Sequence, residues 1–278
     1  MSLMSAITNT LSSAASVGKA LLLSRRPSGG ARHGGAIVIL GNGPSLRETI
    51  DRHLSWLERH ELMAVNFAAN TPELQRLRPG LYILADGHFF TGAERDPNVE
   101  LLWRRIRQVG WRMTLFVPAK YRREARQLLG KSTNVTLKYF NLTPVEGLRW
   151  VSHIMFRLGL GMPRPRNVMV PAIMTAIREG YDKVYLAGAD HSWSRTLWVD
   201  DDNHVVSVQP HFYKDNESEH RRVTSEYAGY HLHDILNSLT IAFRSYFQVG
   251  DWARSRGVEV INVTPGSMID AFPRAHPE

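Results

Sequence analysis

The strongest constraint in this chain is a series of short, largely apolar runs separated by stretches of helical periodicity. The first is Ala36–Leu40, which runs directly into Gly41-Asn42-Gly43-Pro44-Ser45. Leu62–Val65, Leu81–Ala85, Met113–Val117, Val135–Tyr139, Val184–Ala187 and Val258–Ile261 follow. Strands that alternate polar and apolar residues have one wet face. Continuous runs suit strands covered on both faces, as in a parallel sheet. Glu100–Val109 and Lys120–Leu129 carry apolar residues at three- and four-residue spacing, and Pro171–Arg178 opens on proline and stops before Gly180. The alternation predicts an α/β fold, a Rossmann-like, doubly wound, mostly parallel sheet.

Two stretches depart from this rhythm. Residues 1–35 hold an apolar-polar segment, then Arg25-Arg26, then a glycine-rich tract, read as an N-terminal helix and a flexible linker ahead of a domain spanning 36–278. The cations follow the apolar stretch, the wrong order for a secretory signal, and no apolar run has the length of a membrane-spanning helix. Residues 191–228 form a polar and aromatic insertion after the sixth strand. In it Trp198-Val199 and Val205-Val206 flank Asp200-Asp201-Asp202-Asn203, the pattern of a hairpin tip. An insertion at that place is expected to act as a lid, before a long helix from about His233 to Arg256, with a break near Gly250, leads to the last strand.

Composition narrows the chemistry. The 278 residues contain no cysteine, which removes disulfides, thiolate metal sites and cysteine nucleophiles together and points to a reducing, cytoplasmic setting. The net charge of +8 calls for an acidic partner. No nucleic-acid-binding module accompanies it, so no nucleic acid is expected, whereas basic helices suit a peripheral contact with an anionic inner membrane face.

The candidate site sits at the strand ends. Gly41 and Gly43 allow a tight turn and a close backbone approach, and the amides of a helix starting after Pro44 favour phosphate. The turn is neither a G-x-G-x-x-G fingerprint, since Leu46 takes the third glycine's place, nor a P-loop. Asn66 follows the second strand, Asp86 the third, and Asp190 the sixth after Gly188. Four polar residues at carboxyl ends, Asn42, Asn66, Asp86 and Asp190, would face one crevice.

The Gly-Asn-Gly-Pro-Ser-Leu turn resembles the opening of the bacterial CMP-sialic-acid-dependent sialyltransferases of glycosyltransferase family 42. Asn66, the segment Gly180-Tyr181-Asp182-Lys183-Val184-Tyr185-Leu186-Ala187-Gly188-Ala189-Asp190 and the turn Thr264-Pro265-Gly266-Ser267-Met268 continue that resemblance in order, from about residue 36 to 273. It implies a glycosyltransferase working without cofactor or metal, since a CMP-linked donor carries one phosphate that amides and hydroxyls can stabilise. The donor would be a CMP-activated, sialic-acid-like nonulosonic acid and the acceptor a surface glycan or lipid-linked glycan. Asn42 and Asn66 would bind the donor, joined by Ser45, Asn167, Thr264, Pro265 and Ser267, with Tyr213 reaching the phosphate from the lid. The family's catalytic base is a lid histidine, matched here by His233 or His231, with His211 as a third candidate; imidazole suits that role near neutral pH. Asp86, Asn167-Val168 and Ser192-Trp193 depart from the family pattern.

Two other readings stand beside it. A pyrophosphokinase-like group shares the same turn, and there Asp86 and Asp190 would hold magnesium on ATP. A non-catalytic nucleotide-sugar-binding protein would account for the altered positions. Oligomeric state stays open.

Overall fold

A computed structural model describes residues 3–31, 33–92, 96–207 and 229–278. Seven strands build one fully parallel sheet: β1 (Ala36–Leu40), β2 (Glu61–Val65), β3 (Leu81–Ile83), β4 (Met113–Pro118), β5 (Val135–Phe140), β6 (Lys183–Ala187) and β9 (Glu259–Asn262). Their order is β5-β4-β3-β2-β1-β6-β9. All seven apolar runs are therefore strands. In β1, Ile37 and Ile39 enter one core while Val38 and Leu40 enter another on the opposite face, which is why the run has no polar member. A second sheet is the hairpin β7 (Leu197–Val199) and β8 (Val205–Ser207), closed by the turn at Asp200–Asn203 as expected.

Helices cover both faces. One face carries α1 (Leu3–Leu23), α8 (Arg149–Leu158), α9 (Met169–Glu179) and α10 (Leu232–Ser255), packed through residues such as Met155, Ile173 and Tyr246. The other carries α2 (Ser45–Arg52), α3 (Leu54–Glu58), α4 (Glu73–Leu77), α5 (His88–Thr91), α6 (Pro97–Arg107) and α7 (Arg122–Leu129). The chain moves outward from β1 to β5, then returns to place β6 on the other side of β1. The topological switch point is thus between β1 and β6, where open α/β sheets hold ligands.

Several details differ from expectation. Pro171 lies at the third position of α9, still within the turn whose amides lack intrahelical partners. α10 runs unbroken through Gly250. The tract expected as a free linker is tied down. Ser28 exchanges hydrogen bonds with Tyr139 on the edge strand β5, and His33 and Gly34 donate to Glu179 and Gly180. A strap there protects amides that an edge strand would leave open.

Candidate functional site at the switch point

The turn after β1 and the turn after β6 are locked together. Gly41 donates to the Ala187 carbonyl at 2.7 Å and Gly43 to that of Gly188 at 2.9 Å. A Cβ on Gly41 would sit 2.4 Å from the Gly188 carbonyl oxygen, and one on Gly43 would sit 1.9 Å from Asp190 Oδ2. Both glycines are required by close approach.

Asp190 fills the space where the sequence predicts phosphate. Its Oδ1 accepts from the Ser45 amide at 3.2 Å and its Oδ2 from the Ser45 hydroxyl at 2.7 Å, so the start of α2 already faces a carboxylate of the protein's own. Helix N-termini favour negative charge, and the internal anion takes that place. Burial nevertheless lifts the Asp190 carboxyl above the usual carboxylate range, the Ser45 hydrogen bonds pulling the other way.

The turn after β9 buttresses this arrangement. Thr264 Oγ1 accepts from the Ala189 amide and donates to the Leu186 carbonyl, both at 3.0 Å. Ser267 Oγ donates to the Ala189 carbonyl at 2.7 Å and accepts from the Ile269 amide at 3.2 Å. Both side chains are buried. With donor and acceptor engaged internally, these hydroxyls hold the β6 turn in place of a ligand, while Pro265 lies exposed beside them.

On the β2 side, Asn42 Nδ2 donates to the Val65 carbonyl at 3.3 Å, linking the ends of β1 and β2. Asn66 adopts a left-handed backbone at φ 48° and accepts on its carbonyl from the Tyr82 hydroxyl. Its side-chain Oδ1 is buried without a hydrogen-bond partner among the described residues. Asp86 stands exposed after β3, its Oδ1 accepting from the His88 amide at 2.8 Å. Asn42, Asn66, Asp86 and Asp190 do share the carboxyl edge, on the neighbouring strands β1, β2, β3 and β6. Asp190 is engaged by Ser45 and Asp86 by the nearby His88 amide, which leaves Asn42 and Asn66 as the amide pair beside the switch point.

A buried chain that sequence reasoning missed completes the edge. His191, also left-handed at φ 53°, meets the Tyr246 hydroxyl of α10 through Nε2. That hydroxyl donates to Asn167 Oδ1 at 2.9 Å, and the Met169 amide donates to the same oxygen at 2.9 Å. An oxygen can only accept, so the phenol spends its one proton on Asn167 and His191 Nε2 must carry a hydrogen. The Asn167 amide is thereby fixed in orientation, and its Nδ2 is left buried without a partner among the described residues. Burial pulls the His191 imidazole down to about 3, which keeps it neutral, and raises the Tyr246 phenol. Two of the four described non-glycine residues with positive φ, Asn66 and His191, lie on this edge, and strained backbone persists where its surroundings over-determine it. His191 follows Asp190 directly and could have been noticed. Tyr246 gives no local signal, being one aromatic residue inside an apolar helix face.

The predicted base candidates lie further out. His231 caps α10, its carbonyl accepting from the Asp234 amide while the Asp234 carboxylate accepts from the His231 amide, both at 3.0 Å. His233 is exposed, stacked on His231 at 5.8 Å between ring centroids. Thirteen residues separate His233 from Tyr246, about 20 Å along a helix axis. His211 and Tyr213 lie outside the described residues, as does most of the predicted lid. Its described part is anchored, with His191, Val205 and Ser207 buried. Among the described residues, no group of three or more His, Cys, Asp or Glu side chains is placed to hold a metal ion.

No protein-family model matches the chain, and no curated protein does. Among solved structures it is similar to the MAf glycosyltransferase from Magnetospirillum magneticum AMB-1, with 14% identity and a TM-score of 0.52. The match covers 91% of this chain and 35% of that one, so this chain spans about a third of its neighbour's length. At that identity the likeness supports the fold.

Proposed function

We propose that the chain is a glycosyltransferase that binds a nucleotide-activated sugar across the β1–β6 switch point and passes the sugar to a glycan acceptor. The observation that carries this reading is the amide set at the carboxyl edge. Asn66 Oδ1 offers a buried acceptor and Asn167 Nδ2 a buried donor, both without a partner among the described residues, beside Asn42. Unpartnered buried polar atoms cost about 1–3 kcal/mol each, a cost that a bound ligand's complementary groups would offset. Neutral amides suit nucleobase and sugar edges, which mix donors and acceptors. The glycosyltransferase fold of the structural neighbour supports the same reaction class.

The order of motifs along the chain favours a CMP-activated nonulosonic acid as donor and a surface glycan or lipid-linked glycan as acceptor. On the resemblance the base would be His233 or His231 at the start of α10, which requires both the donor's sugar and the acceptor hydroxyl to reach that end of the helix. Asp190 is engaged by Ser45 through both carboxylate oxygens, which weighs against the magnesium-ATP reading that needs it as a ligand.

Calorimetry with CMP, UDP and ATP, each with and without magnesium, tests the assignment, together with CMP release from a CMP-nonulosonic acid. CMP should bind best and without magnesium, and Asn66→Ala and Asn167→Ala should each weaken it by roughly tenfold, the loss of about one buried hydrogen bond. ATP binding tightest and only with magnesium would establish the pyrophosphokinase reading instead. CMP-sugar binding without CMP release in the presence of any acceptor would leave a binding protein.

A further inference from the structure

Helix α1 is mounted backwards. At about 100° per residue, Met4, Ile7, Leu11 and Leu22 fall within about 60° of one another, and Ser13, Ser16 and Ala20 occupy the opposite side. An amphipathic helix on a protein surface turns its apolar stripe to the core. Here the serine-alanine side is docked, at 5%, 6% and 1% exposure, and the apolar side faces outward, with Leu11 at 66% and Leu22 at 85%.

The orientation is specified by hydrogen bonds. Ser16 Oγ donates to the Glu146 carbonyl at 3.1 Å and accepts from the Glu146 amide at 3.0 Å. Ser13 Oγ accepts from the Leu148 amide at 2.7 Å. A Cβ on Gly147, at φ 109°, would lie 2.3 Å from Ser13 Oγ, so the loop is shaped to receive this face of the helix. Turning α1 over to bury its leucines would break every one of these contacts.

The neighbouring helix α8 continues the apolar surface. Its Met155 and Phe156 enter the same core as Ala20 of α1, while Trp150, Ile154 and Leu158, spaced four apart, are exposed on its outer side. Charge around the surface is predominantly positive, its acidic members Glu146 and Asp251 being engaged by Arg164 and by Arg149 and His153. No acidic residue precedes Glu48, and none lies between Glu146 and Glu179. Lys19, Arg25 and Arg26 stand on or just beyond α1, and Arg157 stands between Ile154 and Leu158.

We infer that the outer face of α1 and α8 is a docking surface for an anionic lipid bilayer, with α1 lying in the plane of the headgroups. Apolar side chains enter the acyl boundary while the flanking cations meet lipid phosphates. No helix among the described residues is long and apolar enough to cross a membrane, so the contact is lateral. A second copy of the chain is the competing occupant, and the excess of positive charge on this face disfavours it. Trp150 is the kind of side chain that settles at a membrane–water boundary.

Sedimentation of the full chain with vesicles tests this. Vesicles of phosphatidylcholine with phosphatidylglycerol should bind at least tenfold more protein than phosphatidylcholine alone, and the difference should shrink as salt rises from about 0.1 M to about 1 M and the Debye length falls from about 10 Å to about 3 Å. Leu11→Glu with Leu22→Glu should weaken partitioning by roughly a hundredfold, on the order of tenfold for each leucine kept out of the apolar zone. These positions are exposed, so the melting temperature should not change. Brominated lipid should quench wild-type fluorescence more than that of Trp150→Phe. Equal binding of the double variant, or no preference for anionic vesicles, overturns the proposal. So does a dimer, seen by light scattering, that the double variant dissolves while vesicles remain unbound.

Discussion

The buried His191–Tyr246–Asn167 chain makes a quantitative prediction about acid. Burial holds the folded-state value of His191 at about 3, whereas an unfolded-chain histidine titrates near ~6.5. Between those values the unfolded state binds a proton that the folded state refuses. The contribution of His191 to stability is therefore complete above about pH 6.5 and is lost progressively as pH falls toward the folded value. The slope is about 1.4 kcal/mol per pH unit, so about 2 kcal/mol is lost by about pH 5. In a domain of this size that is a fall in Tm of roughly 4–8 °C. His191→Gln keeps an N–H to offer the Tyr246 hydroxyl but cannot take up a proton. Urea unfolding of both proteins from about pH 7.5 to about pH 5 should show the wild type losing stability faster by that amount, whatever the variant's offset at neutral pH. Because every other histidine is common to both, the difference isolates His191. Parallel curves would refute the buried, neutral assignment and with it the fixed orientation of Asn167.

Substitutions at two further positions probe the lock between the turns. At pH 7, Asp190→Ala should cost about 2–4 kcal/mol in urea unfolding, through two lost hydrogen bonds to Ser45. Asp190→Asn should match or exceed the wild type there. Burial raises the Asp190 value above that of the unfolded chain, so the folded state retains the proton longer and stability falls as pH rises through that window, a loss that asparagine escapes. Gly43→Ala should destabilise by more than about 2 kcal/mol, because its Cβ meets the Asp190 carboxylate and the Gly188 carbonyl. In an Asp190→Gly background the penalty should shrink by more than about 0.5 kcal/mol, the mark of a direct clash.

The strands were legible because burial on both faces leaves a local trace. The inner runs Ala36–Leu40, Leu62–Val65 and Leu81–Ala85 are apolar without alternation, the edge strands β5 and β9 admit Thr136, Lys138 and Glu259, and the seven strands of the large sheet stand where the runs stand. The switch-point turn was legible for a similar reason, since glycine at positions 41 and 43 marks close backbone approach. What the turn holds was not. Ser45 and Asp190 are 145 residues apart, and nothing local tells that the carboxylate swings back to the start of α2. Thr264 and Ser267 were found as positions in a motif, yet their hydroxyls face Leu186, Ala189 and Ile269. Tyr246 joins residues 79 and 55 positions away, a pairing that only packing creates. α1 misled in another way. Its periodicity was visible, but which side faces the protein depends on serine contacts to Glu146 and Leu148 far along the chain.

If a nucleotide binds at the crevice as proposed, the occupied α2 terminus constrains where its phosphate can lie. A phosphate placed at that terminus would stand beside the Asp190 carboxylate. Two unit charges about 4 Å apart repel by about 4 kcal/mol at an effective dielectric of about 20, which would erase most of what a helix terminus gives an anion. Protonating Asp190 would remove the repulsion, and its raised value makes that easier than for an exposed carboxylate, though the Ser45 hydrogen bonds favour the charged form. The economical arrangement leaves Asp190 in place and puts the phosphate on the far side of the crevice, toward Asn66 or Asn167. Asn167 Nδ2 is the better positioned of the two for an anion, since it is a donor held in orientation by Tyr246 and Met169, whereas Asn66 presents Oδ1, an acceptor. The base or the sugar, which carry donors of their own, would then meet Asn66. Asn167→Asp, which exchanges the donor for a second acceptor, should therefore abolish binding of CMP while sparing cytidine, and Asn66→Asp should weaken both alike. Equal losses for CMP and cytidine in Asn167→Asp would place the phosphate elsewhere.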